Sequence, residues 1–121
     1  MTLGRRGEAL AAEYLRQTGH TILEMNWRWS HLEMDIISRD ESGLHFVEGK
    51  SRRKSDVAPV ENFTAAKRGR LVRAANAFLN GQARKGLEGN FEVYFDLITI
   101  VFDDDKADIQ YFPQVFIPIY T

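Results

Sequence analysis

The stretch FEVYFDLITIVF at residues 91–102 is the strongest constraint on how this 121-residue chain folds. Successive side chains of a strand point to opposite faces, and here both faces are largely apolar. A strand of that kind must be covered on both sides, so it predicts a central position in a layered domain. Two amphipathic helices accompany it. Over residues 4–18, Gly7, Leu10, Ala11, Tyr14 and Leu15 recur at the spacing of one buried helical stripe, and Gly19 supplies a stop. Over residues 64–80, Leu71, Ala74, Ala75, Phe78 and Leu79 form a second stripe, with Thr64 as N-cap and Asn80-Gly81 as the end.

Between the helices lie TILEMNWRW, EMDIISR and LHFVEGKS, short strand segments separated by Ser30-His31 and by the turn DESG at 40–43. After the long strand, DDDKAD turns the chain into IQYF, which reads as an edge strand. The ending PQVFIPIYT is apolar and interrupted by proline; it predicts an irregular tail, from residue 112 to 121, packed on the domain or on a partner. The order α-β-β-β-α-β-β predicts one α/β or α+β sandwich spanning 1–121, a mixed sheet with helices against it. No apolar run reaches the length of a membrane span, and the N-terminal MTLGRRGEALAAEYL lacks the uniform apolar core of a signal peptide. With no cysteine, disulfides and thiolate metal sites are excluded, and a cytoplasmic location is expected.

The formal net charge is only −1, but it is unevenly spread. Residues 1–49 carry five basic and eight acidic side chains, residues 50–85 ten and two, and residues 86–121 one and seven. Polyanion binding follows local field, so the middle block points to a nucleic acid, or else to a merely solvated helix face.

Chemistry enters through acids placed among apolar residues. Asp35 sits within MDII and Glu48 within HFVEGK, and burying a charge there is unfavourable without compensation. Residues opposed across a hairpin lie ~5 Å apart, close enough for two carboxylates to repel. Protonation of one, or a shared divalent cation, relieves that repulsion. Oxygen ligands of this kind suit Mg2+ or Mn2+. Lys50 points to the same side as Glu48, and acid, acid, ammonium and metal together form the apparatus of phosphodiester hydrolysis. Taken alone, an EGK triplet more often marks a solvated row of cross-strand ion pairs. Glu8, in the first turn of the first helix, either joins the acids or complements the helix dipole.

With these residues in view, LGRRGEALAAEYLRQTGHTILEMNWRW, LEMDIIS, HFVEGKSR, KRGRLVRAANAFL and FDLITI, in that order, resemble the YraN-like family of small bacterial proteins predicted to be endonucleases. The resemblance covers Leu3 to about Phe102. It implies the PD-(D/E)XK nuclease-like superfamily, related to archaeal Holliday-junction resolvases, and hence a restriction-endonuclease-like α/β sandwich with a mixed central sheet flanked by helices. It further implies that Asp35 and Glu48 are metal-binding acids, helped by the backbone carbonyl of Gly49, that Lys50 is the catalytic lysine, that Glu8 completes the site, and that Glu33 is an accessory acid. The chain departs from the family pattern at Leu32, where glycine is usual, and at Gly49, where a branched apolar residue is usual. Glycine weakens strand propensity, so Gly49 implies a looser placement of its two neighbours.

If the site is a nuclease, Arg52, Arg53, Lys54, Lys67, Arg68, Arg70 and Arg73 are the expected phosphate contacts. Arg28 lies either near the site or stacked over Trp27 or Trp29. His20, His31 and His45 show no metal-ligand spacing and are expected at the surface or in turns. The expectation is therefore a Mg2+- or Mn2+-dependent endonuclease or nickase acting on DNA, with branched or distorted DNA favoured by the resolvase kinship and a homodimer one arrangement open to it. The alternative is a nucleic-acid-binding module of the same fold with weak or no catalysis.

Overall fold

A computed structural model describes residues 4–56, 64–81, 87 and 91–116. Helix α1 spans Arg5–Gln17 and is followed by β1 (Thr21–Trp29), β2 (Leu32–Asp40), β3 (Gly43–Arg53), α2 (Ala65–Asn80), β4 (Glu92–Asp103) and β5 (Lys106–Phe116). The five strands form one sheet in the order β1-β2-β3-β4-β5. Only β3 and β4 run parallel, and a parallel pair requires a crossover, which α2 supplies.

Each helix covers one face of the sheet. Leu71, Ala74, Ala75 and Phe78 of α2 pack with Leu32, Met34, Ile37, Leu44, Phe46 and Phe95. Ala11 and Leu15 of α1 pack on the other face with Ile36, Val47, Ile98 and Ile100. Strand β4 feeds both layers, as its two apolar faces demand. This is the restriction-endonuclease-like arrangement, a mixed sheet between helices.

The local signals act where they stand. Thr64 caps α2 by accepting the Lys67 amide at 3.2 Å, and α1 stops where Gly19 takes a φ of +98°. At the β2–β3 turn Gly43 has a φ of +148°, and a Cβ there would meet the Glu92 carbonyl oxygen at 2.3 Å. Only glycine fits that approach. The irregular tail expected from residue 112 is corrected for residues 112–116. Strand β5 continues to Phe116, which stacks on Phe95 with ring centroids 4.8 Å apart. Pro113 is tolerated because β5 lies at the sheet edge, where no further ladder needs its missing N–H. Residues 117–121 lie outside the described residues, as do 57–63 of the loop after β3. Among the described residues no helix is long and apolar enough to cross a membrane.

Candidate functional site

The β2–β3 hairpin carries Asp35 and Glu48 to the α2 side of the sheet. The paired ladder ends at Ile36 and Val47, and Asp35 and Glu48 stand just beyond that pair on their two strands. Both acids are buried, at 4% and 7% exposure, and both line a cavity of about 190 Å³. His31, Leu32, Glu33, Lys67, Arg70 and Leu71 complete its wall. Asp35 Oδ2 accepts the Gly49 amide at 2.8 Å. Even so, burial, followed by the adjacent Glu48 charge, pushes the Asp35 carboxyl up to about 7. Lys67 Nζ stands 3.7 Å from Glu48 Oε1, which is a partial counter-charge. Glu33 Oε1 is buried without a hydrogen-bond partner among the described residues; its nearest cation is the Arg28 guanidinium at 3.8 Å. Arg28 thus pairs with Glu33 from an exposed position outside the cavity wall, and among the described residues it stacks on no tryptophan.

Three carboxylates on one small cavity, one of them with its pKa raised and another with an oxygen that has no hydrogen bond among the described residues, are the donor set that a hard divalent cation satisfies. Lys50 lies two residues beyond Glu48, half-buried and opposite Thr99 of β4, and does not line that cavity. Glu8 is likewise absent from the wall. It is reached through Asn26, whose Nδ2 donates to Glu8 Oε1 at 2.9 Å. Because Met25 pairs with Ile36 and Trp27 with Met34, Asn26 falls level with Asp35 on the neighbouring strand. Asn26 has a φ of +50°, a conformation asparagine tolerates better than most residues. Asn26 thus stands between the helix acid and the level of the strand acid, a placement that the sequence, where it reads as one more strand position, does not reveal.

The basic block divides. Lys67 and Arg70 face the acid cavity, while Arg68 and Arg73 are exposed on α2. Arg53 and Lys54 line a different cleft of about 330 Å³ with Arg6, Phe102, Asp103 and Asp104. There Arg53 pairs with Asp56 at 3.8 Å and Lys54 with Asp103 at 3.6 Å, and Arg6 lies over the Phe102 ring. Arg52 is half-buried at the end of β3.

A second polar group lies on the α1 side of the sheet, and here the sequence reading of the histidines is corrected. His31 is exposed, but His20 and His45 are buried, at 7% and 5%. His45 Nδ1 donates to Asp96 Oδ2 at 2.6 Å and Nε2 to Asp40 Oδ1 at 2.7 Å. His20 Nδ1 is hydrogen-bonded to Ser38 Oγ at 2.8 Å, and its Nε2 lies 3.5 Å from Asp40 Oδ2. Asp96 also accepts the Tyr111 hydroxyl and the Gln114 amide. Burial opposes the His45 cation, but its bonds to Asp96 and Asp40 outweigh that and raise its pKa. Burial also opposes ionisation of Asp40, yet the Ser42 and His45 hydrogen bonds hold it down at about 2. His20, desolvated and beside His45, is shifted down. One donor atom from each of His20, Asp40 and His45 lies within 4.8 Å of the others, close enough to hold a divalent ion. No periodicity marks this group in the sequence, because His45 meets Asp96 only through β3–β4 pairing, 51 residues apart.

The described sheet and helices resemble a solved Holliday junction resolvase, Hjc of Archaeoglobus fulgidus, with a TM-score of 0.51 and 20% identity over 91% of this chain and 76% of that one. At that identity the likeness concerns the fold. A UPF0102 protein of Syntrophotalea carbinolica is 39% identical over 96% of this chain and 92% of its own length. One from Flavobacterium johnsoniae is 34% identical over 94% and 93%. A third, from Chlorobium chlorochromatii, is 49% identical over 64% of this chain, a match that spans 60% of that protein. The profile of the uncharacterised protein family UPF0102 matches residues 7–100. The chain belongs to that family.

Proposed function

We propose that this chain is a metal-dependent DNA phosphodiesterase, a single nuclease-like domain whose site is the Asp35–Glu48 cavity. The observation that carries this reading is the sharing of one cavity by Asp35, Glu48 and Glu33, with Asp35 raised to about 7 and a Glu33 oxygen that has no hydrogen bond among the described residues. Asp35 and Glu48, with the Gly49 carbonyl, would hold Mg2+ or Mn2+. When bound, the ion supplies charge neutralisation at the phosphate and a more acidic water. Lys50 orients the attacking water or balances charge that builds on the phosphate oxygens. Glu8 acts through Asn26 to fix the strand beside Asp35, and Glu33 offers a further oxygen at the cavity wall. Lys67 and Arg70 position the backbone of the substrate over the acids, and Arg52, Arg53, Lys54, Arg68 and Arg73 extend that contact along a duplex.

Branched DNA is the favoured substrate because the solved relative in fold is a Holliday junction resolvase. A homodimer would present two sites to two strands. The test is incubation of the purified chain with branched and linear DNA, with and without Mg2+ or Mn2+. Metal-dependent nicking that Glu48→Gln and Lys50→Ala abolish is expected; cleavage unaffected by both substitutions would remove the proposed site. Light scattering of the same samples reports the oligomeric state.

A second reading is a binding module without cleavage. It is favoured by the Lys67 ammonium, which already stands against Glu48 where a metal's charge would otherwise be needed. Retained DNA affinity with neither metal supporting cleavage would establish it.

A further inference from the structure

We propose that His20, Asp40 and His45 form a zinc site, separate from the Asp35–Glu48 cavity, that clamps the α1–β1 junction to the β2–β3 hairpin. The two imidazoles are oriented as ligands before any ion arrives. Each has its Nδ1 engaged, His45 by Asp96 at 2.6 Å and His20 by Ser38 at 2.8 Å. Both Nε2 atoms are thereby turned to the Asp40 carboxylate. A carboxylate or hydroxyl behind the distal nitrogen is the outer shell that fixes the tautomer of a metal-ligating histidine. Asp96 is in turn held by the Tyr111 hydroxyl and the Gln114 amide, and the His45 ring stacks on Tyr94 at 5.0 Å. The same Asp40 Oδ1 accepts the Ser42 amide at 2.9 Å and the Ser42 hydroxyl at 2.6 Å, and that hydroxyl lies 3.2 Å from His45 Nε2.

The spacing suits a small tetrahedral ion. Ligand atoms ~2.1 Å from zinc sit ~3.4 Å from one another. The separation of His20 Nε2 and Asp40 Oδ2 is 3.5 Å, and all three donors fall within 4.8 Å. His45 Nε2 and Asp40 Oδ1, at 2.7 Å, share the proton that the ion would displace to solvent. The donor set also separates the two sites chemically. Two imidazole nitrogens and one carboxylate favour zinc, whereas the all-carboxylate cavity favours magnesium or manganese. Water completes the fourth position. His20 follows α1, Asp40 ends β2 and His45 lies in β3, so the ion adds a tie between the α1–β1 junction and the hairpin, which already meet at the His20–Ser38 bond and at rings 4.6 Å apart.

The experiment uses the full chain, freed of metal with a chelator and titrated with zinc chloride in a calorimeter, with Tm followed in parallel. One equivalent should bind and raise Tm. His20→Gln and Asp40→Asn should each weaken zinc binding at least tenfold, whereas Asp35→Asn and Glu48→Gln should leave this equivalent unchanged. Ser38→Ala keeps every proposed ligand and frees the His20 ring; it should weaken binding by roughly tenfold, the scale seen when an outer-shell partner is removed. Cobalt chloride in place of zinc should give the intense visible absorption of a tetrahedral centre. Absence of zinc binding to the wild-type chain overturns the proposal. So does binding that survives both His20→Gln and Asp40→Asn. If either variant fails to fold by circular dichroism, Ser38→Ala decides: unchanged affinity counts against the site.

Discussion

The two faces of the sheet bury acids in opposite ways. Under α1, Asp96 accepts from His45, Tyr111 and the Gln114 amide, and Asp40 accepts from Ser42, Gly43 and His45. Under α2, Asp35 accepts one amide, Glu48 lies 3.7 Å from an ammonium, and Glu33 has an oxygen with no hydrogen bond among the described residues and the Arg28 guanidinium at 3.8 Å. The first arrangement matches donors to acceptors and stiffens the junction of β2, β3, β4 and β5. The second crowds three carboxylates around open volume, with Lys67, Arg70 and Arg28 near them. Carboxylates crowded in a buried cavity are unfavourable for the fold alone, and a cation bound among them relieves that repulsion.

The contrast is sharpest when each face loses one carboxylate. Asp96→Ala strands the His45 cation, the Tyr111 hydroxyl and the Gln114 amide, and should destabilise the metal-free protein by about 3–5 kcal/mol in urea unfolding. Asp35→Asn should do the reverse at pH 8, raising the urea midpoint. A loss of stability from Asp35→Asn comparable to that from Asp96→Ala would break the comparison.

The pH dependence follows from the direction of the Asp35 shift. Its folded carboxyl, at about 7, lies above its ordinary value of 3.8, so the folded state holds the proton more tightly than the unfolded chain does. The stability this proton brings is complete below about pH 4 and is lost as pH rises through about 7. The difference between wild type and Asp35→Asn should therefore change by up to about 4 kcal/mol across that window. Mn2+ added at pH 8 should recover much of the loss in wild type only. A flat difference across pH 4–7 would show that Asp35 titrates normally.

Catalysis comes next in size. Removing one charged group from the cavity, as in Glu48→Gln, should lower single-turnover DNA nicking by about 10²–10³-fold, or ~3–4 kcal/mol. Ser38→Ala on the opposite face should leave the rate of the zinc-free chain within about twofold, since that residue touches neither the acids nor Lys67. Equal losses would mean that the two faces act as one site. The smallest effect is expected at the α2 cap. Thr64→Ala should cost about 1 kcal/mol, equally at pH 5 and pH 8, because it loosens the helix that carries Lys67 and Arg70 without altering the charge of either site.

How much of this was legible in the sequence varies with the range of the interaction. The stripe Leu71, Ala74, Ala75 and Phe78, the Thr64 cap and the Gly19 stop are local, and the structure uses each. Asp35 and Glu48 meet within one hairpin, where alternation and turn length nearly fix the register. Lys67 could be read as basic but not as a neighbour of Glu48, since the crossover that folds α2 over the hairpin is not a local pattern. The end of β5 escapes the sequence for a similar reason. IQYF reads as an edge strand, but its continuation through Pro113 rests on a register shift that pairs Phe116 with Phe95 of β4.

The sequence by itself determined the layered class, the helices, the hairpin and the acids that the hairpin brings together, because periodicity and turn chemistry act over a few residues. Only the tertiary structure decided which charges face one another. The parallel pairing of β3 with β4 sets His45 against Asp96, and the register of β1 sets Asn26 level with Asp35. The first contact depends on strands joined through distant chain, where no spacing along the sequence encodes the neighbour; the second lies within the β1–β2 hairpin, but the Glu8 carboxylate to which Asn26 donates comes from α1.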